Sequence, residues 1–73
     1  MRNGEHKELG NDYIVTKILD VNKHPTYWLS QKGTIFSMYV GTQYPWNTDK
    51  DMVEMAKSCI PMLEQVAFKK SVV

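Results

Sequence analysis

Residues 13–21, YIVTKILDV, have the pattern of a β-strand. They are rich in side chains branched at Cβ, which favour a pleated strand over a helix. The two alternating sets are Ile14, Thr16 and Ile18 on one side and Val15, Lys17 and Leu19 on the other. Only Lys17 gives the two sets a clear difference in polarity, and a lysine favours turning the second set toward solvent.

Two further strands are predicted around Lys32-Gly33, from Thr26 to Ser30 and from Thr34 to Val40. Glycine accepts the positive φ that a short hairpin loop needs, and a two-residue turn would place Leu29 opposite Phe36. A longer loop would shift this register. The predicted core side comprises Tyr27, Leu29, Phe36, Met38 and Val40. The opposite side comprises Thr26, Trp28, Ser30, Ile35, Ser37 and Tyr39, so large apolar side chains lie on both sides of the hairpin.

A helix is predicted to begin after Thr48, which is a suitable N-cap with Asp51 three residues on. Apolar residues then recur at helical spacing: Met52, Met55, Ala56, Cys59, Leu63 and Val66. Pro61 lies nearly opposite this stripe, so we expect a helix kinked on its solvent side, with a break into two shorter helices as the alternative.

The order of these elements predicts an α+β fold of the type βββα. A three-stranded antiparallel sheet would carry one C-terminal amphipathic helix on one face, with its other face open. Residues 1–12 are polar, contain two glycines and show no periodicity, so we assign them to a flexible N-terminal arm and residues 13–73 to a single domain.

Composition limits the classes of function. The chain has 73 residues and a net charge of +1, so it has no global field that would attract nucleic acid or anionic lipid. The single cysteine excludes an internal disulfide, and no apolar run is long enough to cross a membrane. We expect a cytoplasmic protein that is not bound to a membrane.

The sequence contains no recognisable catalytic, metal or cofactor motif. The two histidines, His6 and His24, lie in the arm and beside Pro25. Cys59 falls on the apolar helix stripe, where a thiol usually packs without reacting. We therefore expect that the protein is not an enzyme and needs no metal and no cofactor.

The open side of the sheet is the predicted binding surface. Trp28, Ile35 and Tyr39 would lie on it, and tryptophan and tyrosine are enriched in interface cores. Tyr44 and Trp46 flank a proline in QYPWN, which is typical of a rigid binding loop. The structural alternative for Trp46 is that it covers the open end of the core near Met52.

These features favour a small protein-binding regulator or inhibitor, of the kind that phages and mobile elements encode to block a host enzyme. Two alternatives remain. The sheet face could be the seam of a homodimer. It could also bind nucleic acid, since three strands followed by a helix resemble, in order only, the DNA-binding domains at integrase N-termini. In those domains the open sheet enters the major groove.

Overall fold

A computed structural model describes residues 1–72 of the chain, and the side chains as far as Val66. The elements are β1 His6–Gly10, β2 Tyr13–Leu19, β3 Pro25–Gln31, β4 Ser37–Thr42 and α1 Asp49–Val72. The strands form one antiparallel sheet in the order β1-β2-β3-β4, and α1 packs across one face, against β4, β3 and β2. The α+β class and the single C-terminal helix are confirmed.

The prediction of three strands was wrong, because the sheet has four. The missing strand, β1, lies within residues 1–12, the predicted flexible arm. Asn11 and Asp12 have φ values of 53° and 68°, so they form the two-residue turn with positive φ that matches strand twist. Gly10, at φ 85°, follows a bulge at Leu9 and makes the last pair with β2, opposite Tyr13. The sequence signal for this hairpin was the run Gly10-Asn11-Asp12.

Strand β2 turns its lysine inward. Tyr13 and Val15 are buried beneath the helix, and Lys17 lies on the same side of the strand. This is the reverse of what the lysine suggested. Partial burial of Lys17 is tolerated because its ammonium lies 3.6 Å from the Asp49 carboxylate and donates a hydrogen bond of 2.9 Å to the carbonyl of Met1.

The hairpin between β3 and β4 has a longer loop than a two-residue turn, residues 32–36. Leu29 consequently pairs with Met38, and Trp28 pairs with Tyr39. The predicted pairing of Leu29 with Phe36 is therefore corrected, although the alternation of sides survives along β3 and along β4 as far as Tyr39. A bulge between Tyr27 and Trp28 on this ladder shifts the register by one residue near the end of β4.

Helix α1 begins as the sequence predicted. The Thr48 amide donates to the Asp51 carboxylate at 3.0 Å, and the Asp51 amide donates to the Thr48 hydroxyl at 3.1 Å. The helix continues through Pro61, so the alternative of two shorter helices is wrong. Pro61 is exposed, as its predicted solvent-side position requires.

The core lies between the helix and the sheet. Its buried apolar residues are Tyr13, Val15, Tyr27, Leu29, Met52, Val53, Ala56 and Leu63. The predicted helix stripe is confirmed at Met52, Ala56 and Leu63. It is rotated, however, because Val53 is buried while Met55 and Val66 remain about half exposed.

Candidate binding surface

The sheet face turned away from α1 carries an anchored aromatic pair. Trp28 and Tyr39 lie opposite each other on β3 and β4, with ring centroids 5.4 Å apart in an edge-to-face arrangement. The Trp28 indole N–H donates to the Thr26 hydroxyl at 3.0 Å, and the Tyr39 hydroxyl is bonded to that of Thr42. Their polar groups have partners within the chain. Trp28 is half-buried, and the Tyr39 side chain is about half exposed.

Ile35 does not lie on this face. The structure places it in the loop between β3 and β4, where it is 96% exposed. The prediction placed it on the sheet because it assumed a two-residue turn. Its predicted position opposite Ser30 is taken by Ser37 of β4. On the other side of Trp28, β2 contributes Thr16, flanked by Ile14 and Ile18.

The QYPWN segment forms a tight turn that presents two aromatic rings. The Asn47 amide donates to the Tyr44 carbonyl at 2.9 Å, which closes a β-turn with Pro45 at its second position. Tyr44 and Trp46 stack with centroids 4.9 Å apart and an interplanar angle of 8°. Trp46 is 75% exposed, so the alternative in which it covers the core near Met52 is wrong.

Thr42 connects the two aromatic pairs. Its hydroxyl contacts Tyr39 on the sheet face, and it also lines a cavity of about 470 Å³ beside the turn. The cavity is bounded by His24, Pro25, Thr42, Gln43, Tyr44, Pro45 and Asn47. We use "aromatic surface" for Trp28, Tyr39, Thr42, Tyr44 and Trp46.

Asp49, the first residue of α1, fixes the turn to the core. Its carboxylate accepts hydrogen bonds from the Tyr27 hydroxyl at 2.8 Å and from the Gln43 amide at 2.9 Å, and the Met1 ammonium lies against its other oxygen. The Gln43 amide also donates to the Asn47 carbonyl at 3.2 Å. The same carboxylate therefore ties the helix start, the buried tyrosine and the aromatic turn together.

This network shifts two pKa values in opposite directions. The Met1 ammonium, followed by the hydrogen bonds from Tyr27 and Gln43, holds the pKa of Asp49 well below its ordinary value. Burial, followed by the hydrogen bond to Asp49 and its charge, raises the pKa of the Tyr27 phenol. Both shifts favour the protonation states that keep the hydrogen bond, a carboxylate and a neutral phenol.

The open face of the sheet carries few charged groups. On the open face β1 contributes His6 and Glu8, and the Glu8 carboxylate is paired with the Lys32 ammonium. The hydrogen bond and charge of Lys32 lower the pKa of Glu8. Strands β3 and β4 contain no charged residue. The surface is thus aromatic and hydroxyl-rich.

A second, more polar groove runs between β1 and the helix. It encloses about 810 Å³ and is lined by Met1, Glu5, His6, Lys7, Asp49, Lys50, Val53, Glu54 and Lys57. His6 and His24 border different cavities, and Cys59 is half-buried against the core. Among residues 1–72, no group of three or more His, Cys, Asp or Glu side chains is arranged to hold a metal ion.

Of the five predicted binding residues, the structure pairs Trp28 with Tyr39 and Tyr44 with Trp46, and it separates Ile35 from both pairs. Sequence reasoning missed Thr42, Gln43 and Asp49. Asp49 had a signal, its position at a helix start, but its contact with Tyr27 spans 22 residues and follows only from the sheet register.

Comparison of the chain with protein-family models, curated proteins and solved structures finds no match. None of the described helices is long and apolar enough to cross a membrane.

Proposed function

We propose that this protein is a small protein-binding regulator or inhibitor that docks through the aromatic surface. The observation that carries the proposal is the Tyr44–Trp46 stack, in which a tryptophan that is 75% exposed is held on a rigid turn. Exposed, preorganised aromatic side chains are the usual anchors of protein interfaces, because they bury a large area at a small cost in conformational entropy.

The charge distribution supports a protein partner over a nucleic acid. Phosphate backbones require several unpaired Lys or Arg side chains. Strands β3 and β4, which carry Trp28 and Tyr39, contain no charged residue, and Lys32 in the loop between them is paired with Glu8. We therefore propose a partner that offers an apolar, uncharged patch to the aromatic rings.

The single cysteine supports the cytoplasm as the compartment, and a phage or mobile element is the proposed source of the chain.

A site-specific photo-cross-linker tests this proposal. We would place the cross-linking residue at Trp46 in the producing cells, and at the exposed Lys57, which lines the groove between β1 and the helix, as the control. The expected result is an adduct with one protein from position 46 and no such adduct from position 57.

The purified partner then allows the contact to be measured. Trp46→Ser is expected to weaken binding on the order of 30-fold, the size of an interface hot spot, without loss of the fold. Ile35→Ser is the matched control, since Ile35 is also apolar and exposed but lies away from both aromatic pairs. Unchanged binding by the Trp46 variant would contradict the proposal. So would tight binding of single-stranded DNA that falls steeply with salt, which would favour the nucleic-acid alternative.

A further inference from the structure

The two edges of the sheet differ in how they are protected. Edge strand β1, HKELG, is short, carries three ionisable side chains and ends in a bulge. Edge strand β4, SMYVGT, has no charged residue and no proline. Charges, proline and bulges are the devices that prevent an edge strand from pairing with another chain. Strand β4 carries one of them, the bulge near its end.

The free backbone groups of β4 can be assigned from the ladder. The Gln31 amide donates to the Phe36 carbonyl at 3.2 Å, which makes Leu29 and Met38 the next hydrogen-bonded pair. The N–H and C=O groups of Ser37 and Tyr39 therefore point away from β3, toward the outer edge. Within the part of the chain that the structure describes, no strand pairs with that edge.

The helix presents an apolar stripe above the same edge. Met55, Met62 and Val66 are 42%, 58% and 48% exposed, and the half-buried Cys59 completes their helical spacing. A Cβ added to Gly41 of β4 would lie 3.3 Å from the Met55 Cε atom, so the Met55 end of the stripe lies over β4. On the other flank of the helix, Val53 and Lys57 face the groove beside β1.

We propose that β4 pairs antiparallel with β4 of a second copy of this chain, so that two four-stranded sheets become one eight-stranded sheet. A two-fold axis at this edge joins the free N–H and C=O groups of the two strands and lays the two helix stripes against each other. The two layers match in length, because six strand residues span roughly 20 Å and the stripe from Met55 to Val66 spans roughly 16 Å.

A second copy fits this edge better than an isolated peptide strand. A peptide would satisfy the β4 backbone but leave the helix stripe in water, whereas a second copy brings its own stripe to cover it. Self-pairing also meets no like-charge repulsion, since β4 has no charged residue. This dimer uses the edge of the sheet rather than the face, and it leaves the Tyr44–Trp46 turn outside the seam formed by β4 and the stripe.

Sedimentation equilibrium of the full chain tests the proposal. We expect a monomer–dimer equilibrium over about 1 µM to 1 mM, shifting to dimer as concentration rises. Met62→Glu places a charge on the stripe, and Ser37→Pro removes an outward N–H without breaking the β3 ladder. Each is expected to weaken association on the order of ten-fold or more.

The controls match each change. Gln65→Glu adds the same charge to the same helix at another exposed position, and Ser37→Ala keeps the backbone amide. Both are expected to dimerise like the parent chain. Circular dichroism of dilute samples checks the fold, and if Ser37→Pro does not fold, the Met62→Glu result decides.

A parent chain that stays monomeric up to about 1 mM would overturn the proposal. So would a dimer that both Met62→Glu and Ser37→Pro preserve, since it would have to form through another surface. Trp46→Ser, the variant that tests partner binding, is expected to leave this dimer unchanged, so failure of the dimer and failure of the proposed function are distinguishable.

Discussion

The two flanks of helix α1 are attached to the sheet in different ways. On the flank away from β4, Asp49 accepts a hydrogen bond from Tyr27 of β3 and faces the Lys17 ammonium of β2 at 3.6 Å. Toward β4, the helix rests on Gly41 through the ends of flexible methionine side chains. The polar flank has its partners within the chain, while the apolar flank leaves three side chains about half in water. One flank of the helix thus has its polar groups satisfied within the chain, whereas the other flank leaves apolar surface exposed to water.

The largest effect is expected when two methionines on the same helix are compared. Met52 is fully buried, so Met52→Ala is expected to destabilise the fold by about 2 to 5 kcal/mol. Met62 is 58% exposed, so Met62→Ala is expected to change the stability of the monomer by less than about 1 kcal/mol. Chemical denaturation at low protein concentration measures both. Equal losses would show that the apolar flank is packed within the monomer.

A second test compares two buried tyrosines. The Tyr27 hydroxyl donates to Asp49, so Tyr27→Phe is expected to cost about 1 to 2 kcal/mol. The Tyr13 hydroxyl is buried and has no hydrogen-bond partner among the described residues. Tyr13→Phe is therefore expected to be neutral or to stabilise the fold by up to about 1 kcal/mol. Chemical denaturation measures both variants. A clear loss of stability in Tyr13→Phe would mean that this hydroxyl has a hydrogen-bond partner.

The contacts of Asp49 on the polar flank also predict that the stability of the fold depends on pH. A carboxylate whose pKa is depressed by folding stabilises the native state above its unfolded pKa, near 3.8, and this contribution is lost as pH falls toward the lower folded value. The parent chain is expected to lose more stability between about pH 7 and pH 3 than Asp49→Asn does. Denaturant midpoints at the two pH values measure this. Identical losses would show that Asp49 is not the group responsible.

The smallest effect is expected at Gly41. An added Cβ would meet the ends of Met55 and Met52 at 3.3 and 3.6 Å, and such flexible groups can move by a few tenths of an ångström. Gly41→Ala is therefore expected to change stability by less than about 1 kcal/mol. A loss of several kcal/mol, found by the same denaturation, would show that this side of the helix is as tightly fixed as the other.

Local patterns predicted the helix and, on β3 and β4, which residues lie on the open face. The Thr48–Asp51 capping box and the Met52, Ala56 and Leu63 stripe follow from spacing alone. Strand β1 was missed because five mostly polar residues at a sheet edge carry no apolar alternation, although the Gly10-Asn11-Asp12 turn signalled a hairpin.

Local patterns predicted only part of the candidate binding surface. Trp28 and Tyr39 were placed correctly because alternation within a strand does not depend on loop length. Ile35 was misplaced because the alternation of polar and apolar residues does not show how long the loop at residues 32–36 is. The exposure of Trp46 depends on Gln43 and Asp49, which are brought to the turn by the tertiary fold.

Hydrogen exchange of the two sheet edges tests the central claim most directly. The outward amides are those of Ser37 and Tyr39 on β4, and of His6 and Glu8 on β1. Raising the protein concentration from about 1 µM to about 1 mM is expected to slow exchange at Ser37 and Tyr39 on the order of ten-fold, and to leave His6 and Glu8 unchanged. Exchange that is independent of concentration at β4, or protection that arises at β1 instead, would contradict the account.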